Sequence, residues 1–362
     1  MGQLCSIKSG KSDTKDAVAD GPYDFFDRSR TVKRSTRYLH DCEALIIPGE
    51  GTEFLPRHYS GKFDLHQRAY ALFNFSNLID VRYLYHYLHY KRDYFPQVAV
   101  GATVKSLRLR HFEQLPVPIA PLPEQRRIVA ILDEAFEGIA TAKANAEKNL
   151  QNAREVFESH LNAVFSQRGE GWVGKRLGDV CSISSNLVDP RKDEMLDLIH
   201  IGAGNIESKT GQLTDLKTAG EEGLISGKFN FDSSMVLYSK IRPYLVKVVR
   251  PAFSGLCSAD IYPLLPASTI IRDYLYYLLL TKDFTDYAVH GSARAGMPKV
   301  NRDHLFLYKI SIPTVSKQKI YTEQLDGLHE ETKRLESLYQ QKLTALDELK
   351  QSLLHQAFNG YL

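Results

Sequence analysis

Ile119-Ala120-Pro121-Leu122-Pro123-Glu124-Gln125 and Ile312-Pro313-Thr314-Val315-Ser316-Lys317-Gln318 are two versions of one passage, 193 positions apart. The same offset lays His111 on His304, Leu132 on Leu325, Leu150 on Leu343 and Leu161 on Leu354 without a gap. A second echo, Gly2-Gln3-Leu4-Cys5-Ser6-Ile7 against Gly178-Asp179-Val180-Cys181-Ser182-Ile183, has an offset of 176. The segment between the two echoes is therefore seventeen residues longer in the second copy. Such a long period means a duplicated domain with its appendage, because solenoid repeats run at about 20–50 residues.

The stretch after each proline-marked passage has helical spacing. Leu132, Ala135, Ile139, Ala142, Ala146, Leu150, Ala153, Phe157, Leu161 and Val164 recur in threes and fours. Leu325, Leu328, Thr332, Leu335, Tyr339, Leu343, Leu346, Leu349, Leu353 and Ala357 do the same. That is the seam of a coiled coil. Pro121, Pro123 and Pro313 suit helix starts, and Gly169, Gly171 and Gly360 suit helix ends. Each helix of about forty residues would span roughly 60 Å at the usual rise. Helix one delivers the chain to the second globular segment, and helix two, if it pairs with helix one, can only run back. The expected fold is therefore α+β: two α/β domains separated by two long antiparallel coiled-coil helices, duplicated about a pseudo-twofold axis. The expected boundaries are 1–115 for the first domain, 116–167 for spacer helix one, 168–175 for a linker, 176–308 for the second domain and 309–362 for spacer helix two. Ala44–Ile47, Met235–Tyr238 and Leu245–Val249 read as strands, Tyr83–Tyr90 and Tyr274–Thr281 as short buried helices. The alternative architecture is one large domain with these helices in its core.

At 362 residues, 43% hydrophobic and 25% charged, the chain has average globular usage. Its most apolar runs, near Tyr83–His89 and Tyr274–Leu280, are far short of a membrane span, so no membrane association is expected. Cys5, Cys42, Cys181 and Cys257 are widely spaced, which points to free thiols and a cytoplasmic location. The opening Met1-Gly2-Gln3-Leu4-Cys5-Ser6 fits a myristoylation pattern, but its internal echo assigns it to a fold.

Motifs for catalysis are lacking. Gly169-x-x-x-x-Gly174-Lys175 has Arg176 where a phosphate loop needs Ser or Thr, and it comes after a helix instead of a strand. Gly202-Ala203-Gly204-Asn205 lacks the third glycine of a dinucleotide fingerprint and reads as a turn. The twelve histidines show no metal-ligand spacing. The expectation is a chain without catalytic residues, metal or cofactor of its own.

Basic and polar clusters do rise above background. Net charge is +3 overall; Lys and Arg number 17 against 13 Asp and Glu over residues 2–115, and 15 against 15 over 176–308. The first domain concentrates Arg28, Arg30, Lys33, Arg34 and Arg37, then Arg57, His58, Tyr59, Lys62, His66, Gln67 and Arg68. The second offers Lys240, Arg242 and Tyr244, then Ser292, Arg294, Lys299, Asn301 and Arg302. Arg and Lys read guanine edges, Asn and Gln read adenine, and hydroxyls and further cations fix register on phosphates. These clusters are the candidate DNA-binding residues. The competing reading is a scaffold whose domains bind proteins.

The duplicated Pro–Glu–Gln helix block, with Val236-Leu-Tyr-Ser-Lys-Ile-Arg-Pro-Tyr-Leu245 and the terminal Leu349-Lys-Gln-Ser-Leu-Leu-His-Gln-Ala-Phe358, resembles the DNA-specificity subunit of type I restriction–modification systems over essentially the whole chain. The resemblance implies two target-recognition domains on double-stranded DNA, each reading one half of a split, asymmetric site. The half-sites would lie on one face of the duplex, about one helical turn (roughly 34 Å) apart. It also implies that the spacer helices dock two modification subunits, which bring S-adenosylmethionine and methylate adenine. Restriction subunits, using ATP and Mg²⁺, would join through them. The chain departs from the pattern in two places. Its first copy begins at Gly2, where the second is preceded by Trp172-Val-Gly-Lys-Arg-Leu177, so the amino-terminal strand is expected to be short or its start assigned late. Lys317 stands where the first copy has Glu124.

Overall fold

The computed structural model describes residues 1–184, 186–292 and 298–362. Its contacts divide the chain into two units, Met1–Lys148 with Tyr339–Leu362, and Asn149–Leu338. The divisions fall inside the two long helices, so each unit contains part of both.

The first unit is built on a mixed sheet of β1 (Ser6–Ser9), β2 (Tyr23–Phe26), β3 (Lys33–Ser35), β4 (His40–Pro48), β5 (Arg57–Leu65) and β6 (Ala69–Phe73), in the order β1-β6-β4-β5-β2-β3. Only β2 and β5 run parallel. From Ala44 onward β4 is buried on both faces, and its side chains alternate between two cores. Leu45 and Ile47 face one core with Tyr83, Leu84, Tyr87 and Leu88 of α1 (Val81–Tyr90), while Ala44 and Ile46 face another with Phe26, Phe63 and Leu65. Two short helices come next, α2 (Tyr94–Val98) and α3 (Leu109–Glu113), and then the long α4 (Leu122–Ser166).

The second unit has more, shorter strands. β7 (Val173–Arg176) lies antiparallel to β17 (Lys309–Ile312), so the stretch expected to be a plain linker contributes a strand. After α5 (Leu177–Val180) come β8 (Cys181–Ile183), β9 (Leu187–Val188), α6 (Asp193–Leu196), β10 (Ile199–Ile201), β11 (Lys217–Thr218), β12 (Lys228–Phe231), β13 (Val236–Ser239), β14 (Val248–Val249), β15 (Gly255–Cys257) and β16 (Ile261–Pro266). They form one sheet in the order β11-β10-β15-β12-β9 and a second in the order β14-β13-β16-β8. α7 (Arg272–Leu280), α8 (Lys282–His290) and α9 (Arg302–Leu307) precede β17 and the long α10 (Val315–Phe358). The strand expected over Leu245–Val249 begins only at Val248, because Val246 is left-handed (φ 49°) and Leu245 ends a 3-10 turn. Gly202–Asn205 is a turn as expected, with Asn205 Oδ1 accepting from Gly202 N at 2.9 Å.

In each unit α4 and α10 run antiparallel. In the first, Lys350 Nζ sits 4.8 Å from the Phe136 ring centroid and Lys143 Nζ 2.8 Å from Asp347 Oδ1. In the second, Arg154 Nε donates to Glu336 Oε1 at 2.5 Å and Phe157 lies 5.0 Å from the His329 ring. The start of one helix and the end of the other share each core: Leu132 with Leu354, and Leu325 with Leu161.

The duplication is visible bond by bond. Gln125 and Gln318 are both 0% exposed. Gln125 Nε2 donates to Leu78 O and Ala120 O, and its Oε1 accepts from Asp80 N. Gln318 Nε2 donates to Thr269 O and Pro313 O, and its Oε1 accepts from Ile271 N. Glu124, by contrast, only pairs with Arg127 three residues on, so exchanging it for Lys317 costs one surface pair. Two turns further along, Asp133 Oδ1 accepts from Arg82 (2.6 Å) and His86 Nε2 (2.7 Å) of α1. Asp326 Oδ1 accepts from Tyr277 of α7 at 2.6 Å and from Arg250. Aromatic ends complete the frame: Phe358 packs on Tyr83, Tyr87 and Tyr90, and Phe165 on Tyr274. No helix among the described residues is long and apolar enough to cross a membrane.

Stability should respond to these contacts in two measurable ways. Gln125→Leu or Gln318→Leu strands three buried backbone groups and should lower the unfolding free energy by about 3 kcal/mol. Arg126→Ala, at an exposed neighbouring position, should change it by less than about 0.5 kcal/mol, both read by chemical denaturation. The second response is to pH. Burial, then Lys350 and His86, push His89 down from 6.5 to about 4, and burial lowers His86 against the pull of Asp133. The unfolded chain therefore binds more protons than the folded one across this interval, and stability falls as pH drops from about 6.5 to about 4. His89→Gln should flatten that part of a thermal-midpoint profile.

Candidate nucleic-acid interface

The candidate cations of the first unit separate into three groups. Arg28, Arg30 and Arg57 line one groove of about 860 Å³, together with Glu50, Lys105 and His89. Arg30 is highly exposed and pairs with Glu53, while Arg28 approaches Glu50 at 4.0 Å and Arg68 pairs with the same Glu50. The Arg30–Glu53 pair is exposed on both sides and contributes at most about 1 kcal/mol, so a phosphate takes over that guanidinium at little cost, whereas Glu50 is largely buried and holds its partners more firmly. Arg57 is half-buried and donates to Ser29 O, and burial lowers its pKa despite nearby Asp27.

A second group is tied into the fold. Lys33 Nζ lies 2.6 Å from buried Asp27, whose carboxyl is held low by Lys33 and Ser29 in spite of burial. Arg34 bonds Asp24 and donates to Gly21 O at 2.8 Å. Arg37 donates to Ser12 Oγ and Asp16, with its Nε 3.6 Å from buried Asp64. His66 is 7% exposed; its Nδ1 accepts from Arg68 N and its Nε2 meets Thr14 Oγ1. Gln67 donates to Asp13 at 3.0 Å. These groups shape loops before they contact any ligand.

The third group is an aromatic and basic face around β5. Lys62 Nζ sits 4.9 Å from the Tyr38 ring centroid, Tyr38 packs edge-on to Tyr23, and Tyr59 rests on Phe26 and Phe63. His58 Nε2 lies 2.8 Å from Glu43. Lys105, His89 and Tyr38 carry no signal of this role in the sequence. Lys105 stands alone between small residues, and only the fold carries it to the groove.

In the second unit the candidates gather around one strained loop. Arg242 (φ 49°, ψ 59°) and Val246 (φ 49°, ψ 55°) are left-handed and bracket the 3-10 turn Pro243–Leu245. Non-glycine residues, and a β-branched one above all, take this conformation only when their surroundings impose it. Here Arg242 N donates to Pro298 O, Val300 N to Lys240 O, and Lys209 N to Val246 O. Arg242 is exposed, and Tyr244 is 54% exposed at the tip. Lys240 donates to Ala259 O and lies over the Tyr262 ring, and Lys299 Nζ lies 3.8 Å from Asp260 Oδ1; burial, then Lys299 and Arg302, lower the Lys240 pKa against the pull of Asp260.

Two candidates have duties within the fold. Ser292 is 2% exposed and donates to Val289 O, closing the end of α8 out of reach of a ligand. Asn301 caps α9, its Oδ1 accepting from His304 N at 2.7 Å, so that oxygen is already engaged. Arg294 lies outside the described residues. Among those residues no cluster of three or more His, Cys, Asp or Glu side chains is placed to hold a metal.

A duplicated frame carrying two unlike, cation-bearing domains defines a class of internally repeated, two-domain proteins. Comparison with known proteins gives the class a family. The type I restriction modification DNA specificity domain matches residues 1–151 and again 169–345, and the chain belongs to that family. It is 28% identical over 395 residues to the EcoDI type I specificity subunit of Escherichia coli, covering 100% of this chain and 87% of that one. It is 21% identical over 391 residues to the StySPI specificity subunit of Salmonella potsdam, covering 99% and 81%. Among solved structures, a chain described in work on complex assembly and conformational transition of the type I R-M system shares the fold at a TM-score of 0.76 and 15% identity, covering 100% of this chain and 97% of that one. The HsdS subunit from Thermoanaerobacter tengcongensis matches at 0.55 and 16%, covering 100% and 96%.

The strain at Arg242 can be measured. Arg242→Gly relieves the left-handed backbone without losing packing, and should raise the unfolding free energy by about 0.5–1 kcal/mol, whereas Arg242→Ala should not. Equal effects in chemical denaturation would show an unstrained loop.

Proposed function

We propose that this chain selects the DNA sequence for a type I restriction–modification assembly. Its two unlike domains each read half of an asymmetric, bipartite site on double-stranded DNA. The observation that carries this reading is the exposed Arg242–Tyr244 tip beside Lys240, Lys299 and Arg302, with the Arg28–Arg30–Arg57 groove as its counterpart in the first unit. A rigid tip with an arginine and an aromatic ring can reach a base edge, while neighbouring lysines hold phosphates. The chain acts without catalytic residues of its own. Two modification subunits dock on the long helices and bring S-adenosylmethionine, and restriction subunits that use ATP and Mg²⁺ join through them, all in the cytoplasm. Family membership and the paired helices favour this over a scaffold for protein ligands.

A salt titration tests the reading. Binding to a mixed pool of duplexes should weaken linearly on a log–log plot, and Lys240→Ala with Arg302→Ala should flatten that slope by about 2. Binding to proteins with no salt-dependent DNA affinity would overturn it.

A further inference from the structure

The two seam ion pairs occupy one pair of positions in the duplicated frame, with their signs inverted. The offset that superimposes the copies carries Lys143 onto Glu336 and Arg154 onto Asp347. In the first unit Lys143 of α4 meets Asp347 of α10 at 2.8 Å, and in the second Arg154 of α4 meets Glu336 of α10 at 2.5 Å. Helix one thus supplies the cation both times and helix two the anion both times. Side-chain size obeys the same division. Ala142, Ala146 and Ala153 of helix one stand where helix two has Leu335, Tyr339 and Leu346. Ala146 is only 1% exposed.

We infer that this seam accepts only a helix of the opposite kind. Two copies of the chain can exchange their second helices, but cannot pair like with like. A helix-one pair in the same register would set Lys143 against Arg154 twice and leave alanine facing alanine. A helix-two pair would set Glu336 against Asp347 twice and crowd leucine and tyrosine together. Turning two attractive surface pairs into two repulsive ones disfavours the like pairing by roughly 10–30-fold, and the size mismatch adds to that. The consequence is an assembly that always holds one domain of each kind, whatever ligand the domains take.

The test starts from the folded full chain. A protease site inserted after Gly169, in the exposed stretch between α4 and β7, allows the protein to be nicked without cutting either element. Two nicked preparations of different mass are mixed and monitored by native mass spectrometry. Exchanged complexes with one first half and one second half are expected, and dimers of two first halves or two second halves in comparable amount would overturn the inference. A charge cycle on the intact chain decides the matter independently, including the case in which nicked halves do not exchange. Lys143→Glu with Arg154→Glu should lower the thermal midpoint by about 2–4 °C, and adding Glu336→Lys with Asp347→Lys should restore it. Equal midpoints for all these proteins would show that the charges do not specify the pairing.

Discussion

An amide sealed from solvent fastens the start of each long helix to its globular neighbour. Gln125 and Gln318 each satisfy two carbonyls and one backbone N–H that would otherwise be buried without partners. Such groups are expensive to leave unpaired, so the bonds fix the position of the first helical turn and with it the angle at which the helix departs. Asp133 and Asp326 then repeat the attachment two turns on, each gripping a short aromatic helix of the adjoining domain. The helix pair is held at its starts by polar bonds and at its ends by Phe358 and Phe165 against tyrosines. This mixture divides the work: apolar area supplies stability, and the amides supply a single geometry.

Much of that frame is legible in the sequence because duplication writes it twice. The offset between Gln125 and Gln318 locates both helices, and the recurrence of Leu132 and Leu325 locates their buried faces. What cannot be read is where two registers meet. Val246 has strand-forming character, yet contacts from Lys209 and Pro298 impose a left-handed turn on its surroundings. The exposed passage Val173–Arg176 carries no alternating apolar pattern, because its place in a ladder is set by the backbone of β17.

The candidate site is legible only as composition. Charge counts identify the segments bearing cations but cannot separate Arg30, bound to a single exposed carboxylate, from Arg37, which reaches Ser12, Asp16 and Asp64 across the sheet. Nor can they reveal that Ser292 and Asn301 serve helix ends. Lys105 and His89 enter the groove from loops and helices far from Arg28 in sequence. Local charge density is a property of the chain, whereas availability of a charge depends on every neighbour that the fold brings to it.

The ladder between β7 and β17 has a consequence for inheritance. It fastens the two ends of the second globular body to each other, from Val173 paired with Ile312 to Arg176 paired with Lys309. Backbone bonds of this kind are indifferent to side chains. A recombination event with breakpoints in these two strands would therefore replace everything between them as a cassette while the clasp closes as before, and both rods keep their footing where the incoming segment again presents backbone groups to Gln318 and an aromatic helix to Phe165 and Asp326. New sequence preferences can then arise in a single genetic step from any segment that carries those few anchoring contacts with it.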